Sequence, residues 1–373
     1  MNSMTRVPTS RRRARALLGL FASLSAACGT PASDGHEISL SEYQRLNERD
    51  VEVLQLTKID SVILGTAEDG VYEITDLEIR GRDLYIVDAK DKSVKVFDSS
   101  GRLIRRIGRE GSGPGEFKDP LAVAFGDERM YVVDPSAGKR ISLFGFDGRF
   151  VEMMESNIPT APVSIAATGD LVFTMGGLSI TDPERQGWDV MSVITASGEK
   201  VGQGCVMDPR YLASSKRDGM IGRFDFGAVS AREDRVYCIQ TITPVVQVMD
   251  RSGKPARQIR LAPPFYTAPE DRDAVLNQKA IFDYLGSFTP HGRFFPVDSG
   301  FVSVYTRFDR ELGEVRNHLF VCREVPRTHC GIVQNIGKPV YAASLDTVYI
   351  EEEVGPNEPM QIGIYRLSPA HGR

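Results

Sequence analysis

The stretch Asp83-Leu84-Tyr85-Ile86-Val87-Asp88 recurs as Arg129-Met130-Tyr131-Val132-Val133-Asp134, and this pair decides the fold. Each copy is followed by a second apolar run, Val94-Lys95-Val96-Phe97 and Ile141-Ser142-Leu143-Phe144. Each then reaches a turn ending in a basic residue, Ser100-Gly101-Arg102 and Asp147-Gly148-Arg149. A third copy reads Val236-Tyr237-Cys238-Ile239, Val245-Val246-Gln247-Val248 and Ser252-Gly253-Lys254. Short alternating strands with a period of about 40–50 residues mark a propeller blade, a small sheet that buries its faces only against copies of itself. Positions equivalent to the repeat tyrosine are Tyr85, Tyr131, Phe173, Tyr237, Ser303 and Tyr349, which predicts an all-β, six-bladed propeller of four-stranded blades. The last unit lacks a fourth strand after Met360–Leu367, while the β-rich stretch Val51–Leu64 belongs to no repeat. That N-terminal strand is therefore expected to complete the last blade and close the ring, which removes exposed sheet edges.

The segment Ile107-Gly108-Arg109-Glu110-Gly111-Ser112-Gly113-Pro114-Gly115-Glu116-Phe117, followed by Pro120, Tyr131-Val132-Val133-Asp134, Arg140-Ile141 and Phe144, resembles the NHL-repeat type of propeller. The resemblance covers two blades closely and about half the chain in all. It implies a propeller used mostly for binding, with a minority of enzymatic members. Asp88 and Asp134 are read as carboxylates that close the turn after the second strand by accepting backbone N–H bonds.

The N-terminus reads as an address. Arg11-Arg12-Arg13-Ala14-Arg15 precedes the apolar run Ala16–Ala27, too short to span a bilayer, which is the order of a signal peptide over residues 1–27. Leu24-Ser25-Ala26-Ala27-Cys28 resembles the bacterial lipobox, which implies acylation of Cys28; cleavage near the small residues with Cys28 a bystander is the alternative. Gly29 after the cysteine favours an outer-membrane or surface destination, and Ser10-Arg11-Arg12 hints at twin-arginine export. Residues 28–50 then form the lipidated cysteine and a tether, and 51–373 the propeller. Expected localisation is exported, with the membrane reached through the lipid alone. Beyond the N-terminal arginines, 40 basic residues stand against 50 acidic ones, a surface that repels nucleic acid.

In blades with strands A to D, the A–B and C–D turns emerge on one face and the B–C and D–A connections on the other. The A–B turns are all tight, for example Gly81-Arg82-Asp83 and Leu345-Asp346-Thr347. Every long connection falls in the other class: 176–187, 208–222, 263–292, 308–315 and 351–358. The binding face is therefore assigned to the long loops, with Arg109, Trp188, Arg210, Tyr211, Arg217, Tyr266, Arg307 and Arg310 as candidate contacts for a peptide, glycan or envelope protein. Thr267-Ala268-Pro269-Glu270 reads as a capping box, which predicts one helix running to about Leu285 with a stop at Gly286.

Chemistry finds few tools. His291, His318 and His329 all fall in blade five, which opposes a metal held by several blades on the axis, and neither a G-x-S-x-G elbow nor a phosphate loop is present. No catalytic residue, metal or cofactor is assigned. A lactonase-like hydrolase or lyase remains an alternative, with Asp76, Glu78 and Asp225 as carboxylates for the channel; a structural envelope component is the third reading. Cys322 and Cys330 lie at equal distances from Pro326 in a hairpin and are expected to form a disulfide, while the pairing of Cys205 and Cys238 depends on strand register.

Overall fold

The computed structural model describes residues 51–66, 68–155, 161–176, 189–216, 218–223, 227–261, 263–275, 277–324, 329–355 and 358–370. Five blades read straight along the chain. Blade one is Ile74–Arg80, Asp83–Asp88, Ser93–Phe97 and Leu103–Ile107; blade two is Ala122–Phe125, Arg129–Val133, Arg140–Gly145 and Phe150–Glu155. Blade three is Pro162–Thr168, Leu171–Gly176, Asp189–Thr195 and Lys200–Val206; blade four is Gly227–Arg232, Arg235–Gln240, Val245–Asp250 and Pro255–Arg260. Blade five is His291–Val297, Gly300–Asp309, Glu314–Arg323 and His329–Ile336. Blade six supplies only Val340–Ala343, Thr347–Glu352 and Gln361–Pro369 from its own stretch. Its fourth strand is the N-terminal Glu52–Ile63, antiparallel to the last strand from Leu54 opposite Pro369 to Ile63 opposite Gln361. The ring is thus closed by the strand expected from the sequence.

Before it joins blade six, the closing strand makes a short parallel contact with blade five, Glu52 opposite Gly331 and Val53 opposite Ile332. Blades five and six consequently share one eight-stranded hydrogen-bonded sheet, beside four separate four-stranded sheets. The core gives the blade count independently: the described residues form six apolar clusters, each lying between two neighbouring blades. Strand B of blade one shows how alternation produces this. Tyr85 and Val87 pack against Val123, Met130 and Val132 of blade two, while Leu84 and Ile86 face Tyr341 and Ile362 of blade six. Both faces of a middle strand are covered, so Ser93–Phe97 is buried throughout, whereas the outer strand Leu103–Ile107 alternates with solvent.

The repeated aspartates act as clamps. Asp88 accepts the amides of Tyr72 at 3.1 Å, Glu73 at 3.1 Å and Asp91 at 3.2 Å. Asp134 accepts those of Lys118 at 2.6 Å, Asp119 at 3.1 Å and Ala137 at 3.2 Å. The offsets are the same in both blades: 16 and 15 residues back to the incoming loop, and three forward into the B–C turn. In blade four Gln240 takes the position, accepting the amide of Asp208 at 2.8 Å and donating to the carbonyl of Val206 at 2.8 Å. The glycine-rich stretch between blades one and two builds such an incoming loop. Gly108 sits at φ +78°, and a Cβ there would come within 2.2 Å of the buried Phe117 ring.

Two disulfides are formed. Cys322 and Cys330 lie directly opposite on strands C and D of blade five, as the hairpin reading expected. Cys205 and Cys238 join strand D of blade three to strand B of blade four.

The helical expectation needs correction. Residues 267–275 are not helical; the helix is Gln278–Leu285, capped by Asn277, whose side chain accepts the Ala280 amide at 2.8 Å. Thr267 is instead engaged with Thr289, each contributing one bond to the other. The stop at Gly286 holds, its amide bonding to the Phe282 carbonyl at 2.9 Å. A second short helix, Pro209–Lys216, was not foreseen.

Removal of residues 1–64 takes away the closing strand and exposes the edge of Gln361–Pro369, while removal of residues 1–49 leaves the strand intact. In thermal melts the first truncation is expected to unfold well below the second, and equal midpoints would contradict closure by this strand.

Candidate functional site

Strand A of each blade lines the channel and runs from the long-loop face toward the tight-turn face. The Arg293 guanidinium of blade five lies near the start of these strands. It pairs with Asp76 at 3.2 Å and donates to the carbonyls of Thr75 at 3.2 Å and Tyr341 at 3.4 Å. It therefore ties blade five to blades six and one. The other Asp76 oxygen accepts the Val123 amide of blade two at 3.1 Å, and Ser164 of blade three accepts the Val229 amide of blade four at 3.0 Å. Tyr341 donates to Glu351 at 2.6 Å, and burial together with this partner pushes its phenol far above the usual tyrosine range.

Beyond this polar layer the channel widens into a funnel of about 920 Å³ that opens on the tight-turn face. All six blades contribute to its wall through the later halves of their A strands, with Glu78, Phe125, Ala166, Ser230, Phe295 and Ala342 representing them in chain order, and Tyr349 of strand B of blade six joins them. Its rim is pinned between blades: Arg232 pairs with Asp298, and Arg323 with Asp346. Nearby, Arg251 of blade four pairs with Asp170 of blade three at 3.0 Å. Exposed pairs of this kind are worth little stability individually, about 0–1 kcal/mol, but they fix the direction of each guanidinium.

Glu78 stands apart. Its carboxylate is open to the funnel yet enclosed by the surrounding blades, and this desolvation, with Asp76 adding to it and Arg293 opposing, holds its carboxyl well above the ordinary carboxylate range. Among the described residues it has no hydrogen-bonding or ion-pair partner. Asp76 and Glu78 are the two channel carboxylates named from the sequence; Asp225 lies outside the described residues.

The long-loop candidates are scattered. Tyr211 is fully buried, packed with Met220, Ile221, Tyr284 and Phe288 into the core between blades three and four. Arg210 is held by both oxygens of Asp208, at 3.0 and 2.9 Å, and Arg109 by Glu116 at 3.0 Å. Arg310 donates to the Asp283 carbonyl near the end of the Gln278–Leu285 helix, and Phe282 stacks on Phe308 at 4.7 Å. Tyr266 is half-buried, reaching the Ile242 carbonyl at 3.4 Å, and Arg307 is exposed. Trp188, Arg217 and Cys28 lie outside the described residues.

The two long crossings pair with each other, Met220 N to Arg272 O at 2.7 Å and Ala274 N to Asp218 O at 2.9 Å, with Asp271 accepting from Ser214 at 2.8 Å. They are a packed layer over blades three and four. The stretch 308–315 is a turn of four residues, Arg310–Gly313, between two elongated strands, and no long loop.

The fold and the funnel define a six-bladed β-propeller. In agreement, residues 35–204 match a family described as a 6-bladed beta-propeller. Among solved structures, the chain is similar to a Bacteroides fragilis protein described as exported, at 11% identity and TM-score 0.56, covering 86% of this chain and 97% of that one. It is also similar to a member of the duf4221 family from Bacteroides vulgatus, at 11% identity and TM-score 0.55, covering 86% and 100%. At such identity the likeness is one of fold. No curated protein matches the chain.

A buried imidazole next to the long-loop layer makes stability pH-dependent. His291 stacks on Tyr305 at 4.6 Å and shares a 2.6 Å hydrogen bond with Ser303, and burial holds its pKa down to about 3. Below about pH 6.5 the unfolded chain binds a proton that the folded chain refuses, so stability falls as pH drops from 6.5 toward 3. Between pH 7 and pH 5 this group alone is expected to cost about 2 kcal/mol. Denaturant titrations of His291→Gln should show a lower starting stability and a flatter pH dependence; an unchanged slope would assign the acid loss to other groups.

Proposed function

We propose that the chain is an exported, lipid-tethered binding module that holds a peptide or protein partner of the cell envelope in the central funnel of its propeller. The observation that carries this reading is the funnel itself, a concavity to which all six blades contribute and in which half-buried aromatics stand beside polar groups. Sites of that composition suit ligands with an apolar body and a few fixed polar contacts. In this reading residues 1–27 are removed, Cys28 is acylated and residues 29–50 tether the propeller. The two disulfides suit an oxidising compartment. Among the described residues no helix is long and apolar enough to cross a membrane, and in this reading the lipid is the anchor.

A second reading places binding on the long-loop face. It is favoured by Arg307, an exposed guanidinium with no ion-pair partner among the described residues. A glycan remains a ligand class for either face. A hydrolase or lyase reading would use Glu78, whose raised pKa keeps a proton near neutrality for donation to a leaving group.

Two experiments test the proposal. Cys28→Ala is expected to move the protein from the membrane to the soluble fraction, and retention after salt and carbonate washing would remove the lipid from the account. For the face, Ile79→Trp and Ser344→Trp, at exposed positions of the funnel lining, are expected to abolish partner capture from native membranes by crosslinking, while Arg307→Glu leaves it unchanged. The opposite pattern would transfer the site to the long-loop face.

A further inference from the structure

The charges of the funnel do not cancel in place. Arg232 and Arg323 are each occupied by an aspartate of the next blade, Asp298 and Asp346. One layer deeper, Arg293 is occupied by Asp76 and by two backbone carbonyls. Arg80, at the same end of blade one, lies over the Phe146 ring at 3.6 Å. Glu78 is left as the lining charge without a hydrogen-bonding or ion-pair partner among the described residues, with Asp76 and Arg293 as the charged groups that act on it, and Ile79, Phe125, Phe295 and Tyr349 line the same funnel. Ile79 is 36% exposed although it lies on an inner strand, and Phe125, Phe295 and Tyr349 are only half-buried, so this wall presents apolar surface to whatever enters.

An unpaired carboxylate in a funnel whose wall also presents apolar and aromatic surface is complementary to a ligand with a long apolar stem and a positive tip. Lysine and arginine side chains have that form: the methylenes pack on the wall, the cation meets the carboxylate, and aromatic faces add cation–π attraction. We propose that the funnel is the receptacle for one lysine or arginine side chain presented by the partner polypeptide, with Glu78 as its counter-ion. A volume of about 920 Å³ also leaves room for the flanking backbone in the mouth. Neutral sugars and acidic peptides lack the charge this site selects. The inference rests on the funnel being the binding site.

Occupation by a cation stabilises the ionised form of Glu78, so binding releases a proton wherever the carboxyl is otherwise protonated. Affinity should therefore rise with pH through the Glu78 titration. The other groups facing the funnel are Asp76 and Arg293 beneath it, Tyr341 and Tyr349 of blade six, and the Arg232–Asp298 and Arg323–Asp346 pairs at the rim.

The test uses the full-length protein with isotope-labelled isoleucine methyl groups, following the Ile79 methyl signal as a report of funnel occupancy. The probes are acetylated, amidated tripeptides Gly-X-Gly in which X is lysine, arginine, norleucine or glutamate. Saturable shifts with the lysine and arginine peptides only are expected, and Glu78→Gln should weaken them by about tenfold or more, the loss of one charge-assisted contact. Glu78→Asp, which keeps the charge on a shorter stem, should fall between. Raising the pH from 6 to 8.5 should tighten the lysine peptide on the native protein and leave Glu78→Gln unchanged. Equal binding of norleucine, or lysine binding indifferent to Glu78→Gln, would overturn the cation assignment and leave the funnel standing as a site. Absence of any Ile79 shift would also overturn it, while loss of partner capture in the Ile79→Trp and Ser344→Trp variants would still uphold the broader reading.

Discussion

Everything in this molecule depends on ring closure. A four-stranded sheet covered on one face only cannot account for strands such as Ser93–Phe97, buried throughout; each blade is stable because neighbours lie on both sides. The six apolar clusters are six interfaces, and the one between blades six and one contains Val62 and Leu64 of the N-terminal segment together with Ile362 near the other end of the chain. A linear stack would leave two faces bare. The closing strand prevents this, and its parallel contact with blade five binds the seam a second time.

Within that ring, the inner polar layer and the rim do different work. Arg293, Asp76 and Ser164 connect strands A of successive blades where backbone donors would otherwise lie unpaired, so the deep channel is a structural element. The rim pairs hold Arg232 and Arg323 against aspartates of the next blade. What remains open is a cavity in which Glu78 lacks a partner among the described residues, and its carboxyl is held above the ordinary range chiefly by desolvation, with Asp76 adding to it and Arg293 opposing.

The fold was legible because its determinants repeat. The tyrosine of strand B, the aspartate ending it and the glycine turn return at fixed offsets, and each offset corresponds to one physical contact: Asp134 reaches Lys118 and Ala137 as Asp88 reaches Tyr72 and Asp91. The Cys322–Cys330 bridge was legible through the hairpin, since opposite strand positions follow from the turn. The funnel was not, because no repeat carries it. Loop length pointed to the opposite face, yet the crossings 208–222 and 263–290 spend their length packing on one another, and Tyr211 became core. The capping box at Thr267 failed for the same reason: Met220 and Asp218 claim the backbone of Arg272 and Ala274, and the helix starts only where that pairing ends. Asp76 and Glu78 were visible as polar residues on an inner strand, but sequence could not tell the satisfied carboxylate from the unsatisfied one.

Leu54 stands opposite Pro369 in the antiparallel register, so the propeller's first strand to leave the ribosome finds its partner in the propeller's last strand. Blades one to four are assembled from neighbouring hairpins and have the short loop closures that favour rapid local folding, whereas blade six demands contact across nearly the whole chain. Until Gln361–Pro369 has been made, the nascent propeller carries the unmatched strand Glu52–Ile63 and an incomplete row of sheets after it, a state vulnerable to pairing with other chains. The topology that leaves the finished propeller without a loose end therefore concentrates its exposure to misassembly in the interval before the final nine-residue strand, Gln361–Pro369, arrives.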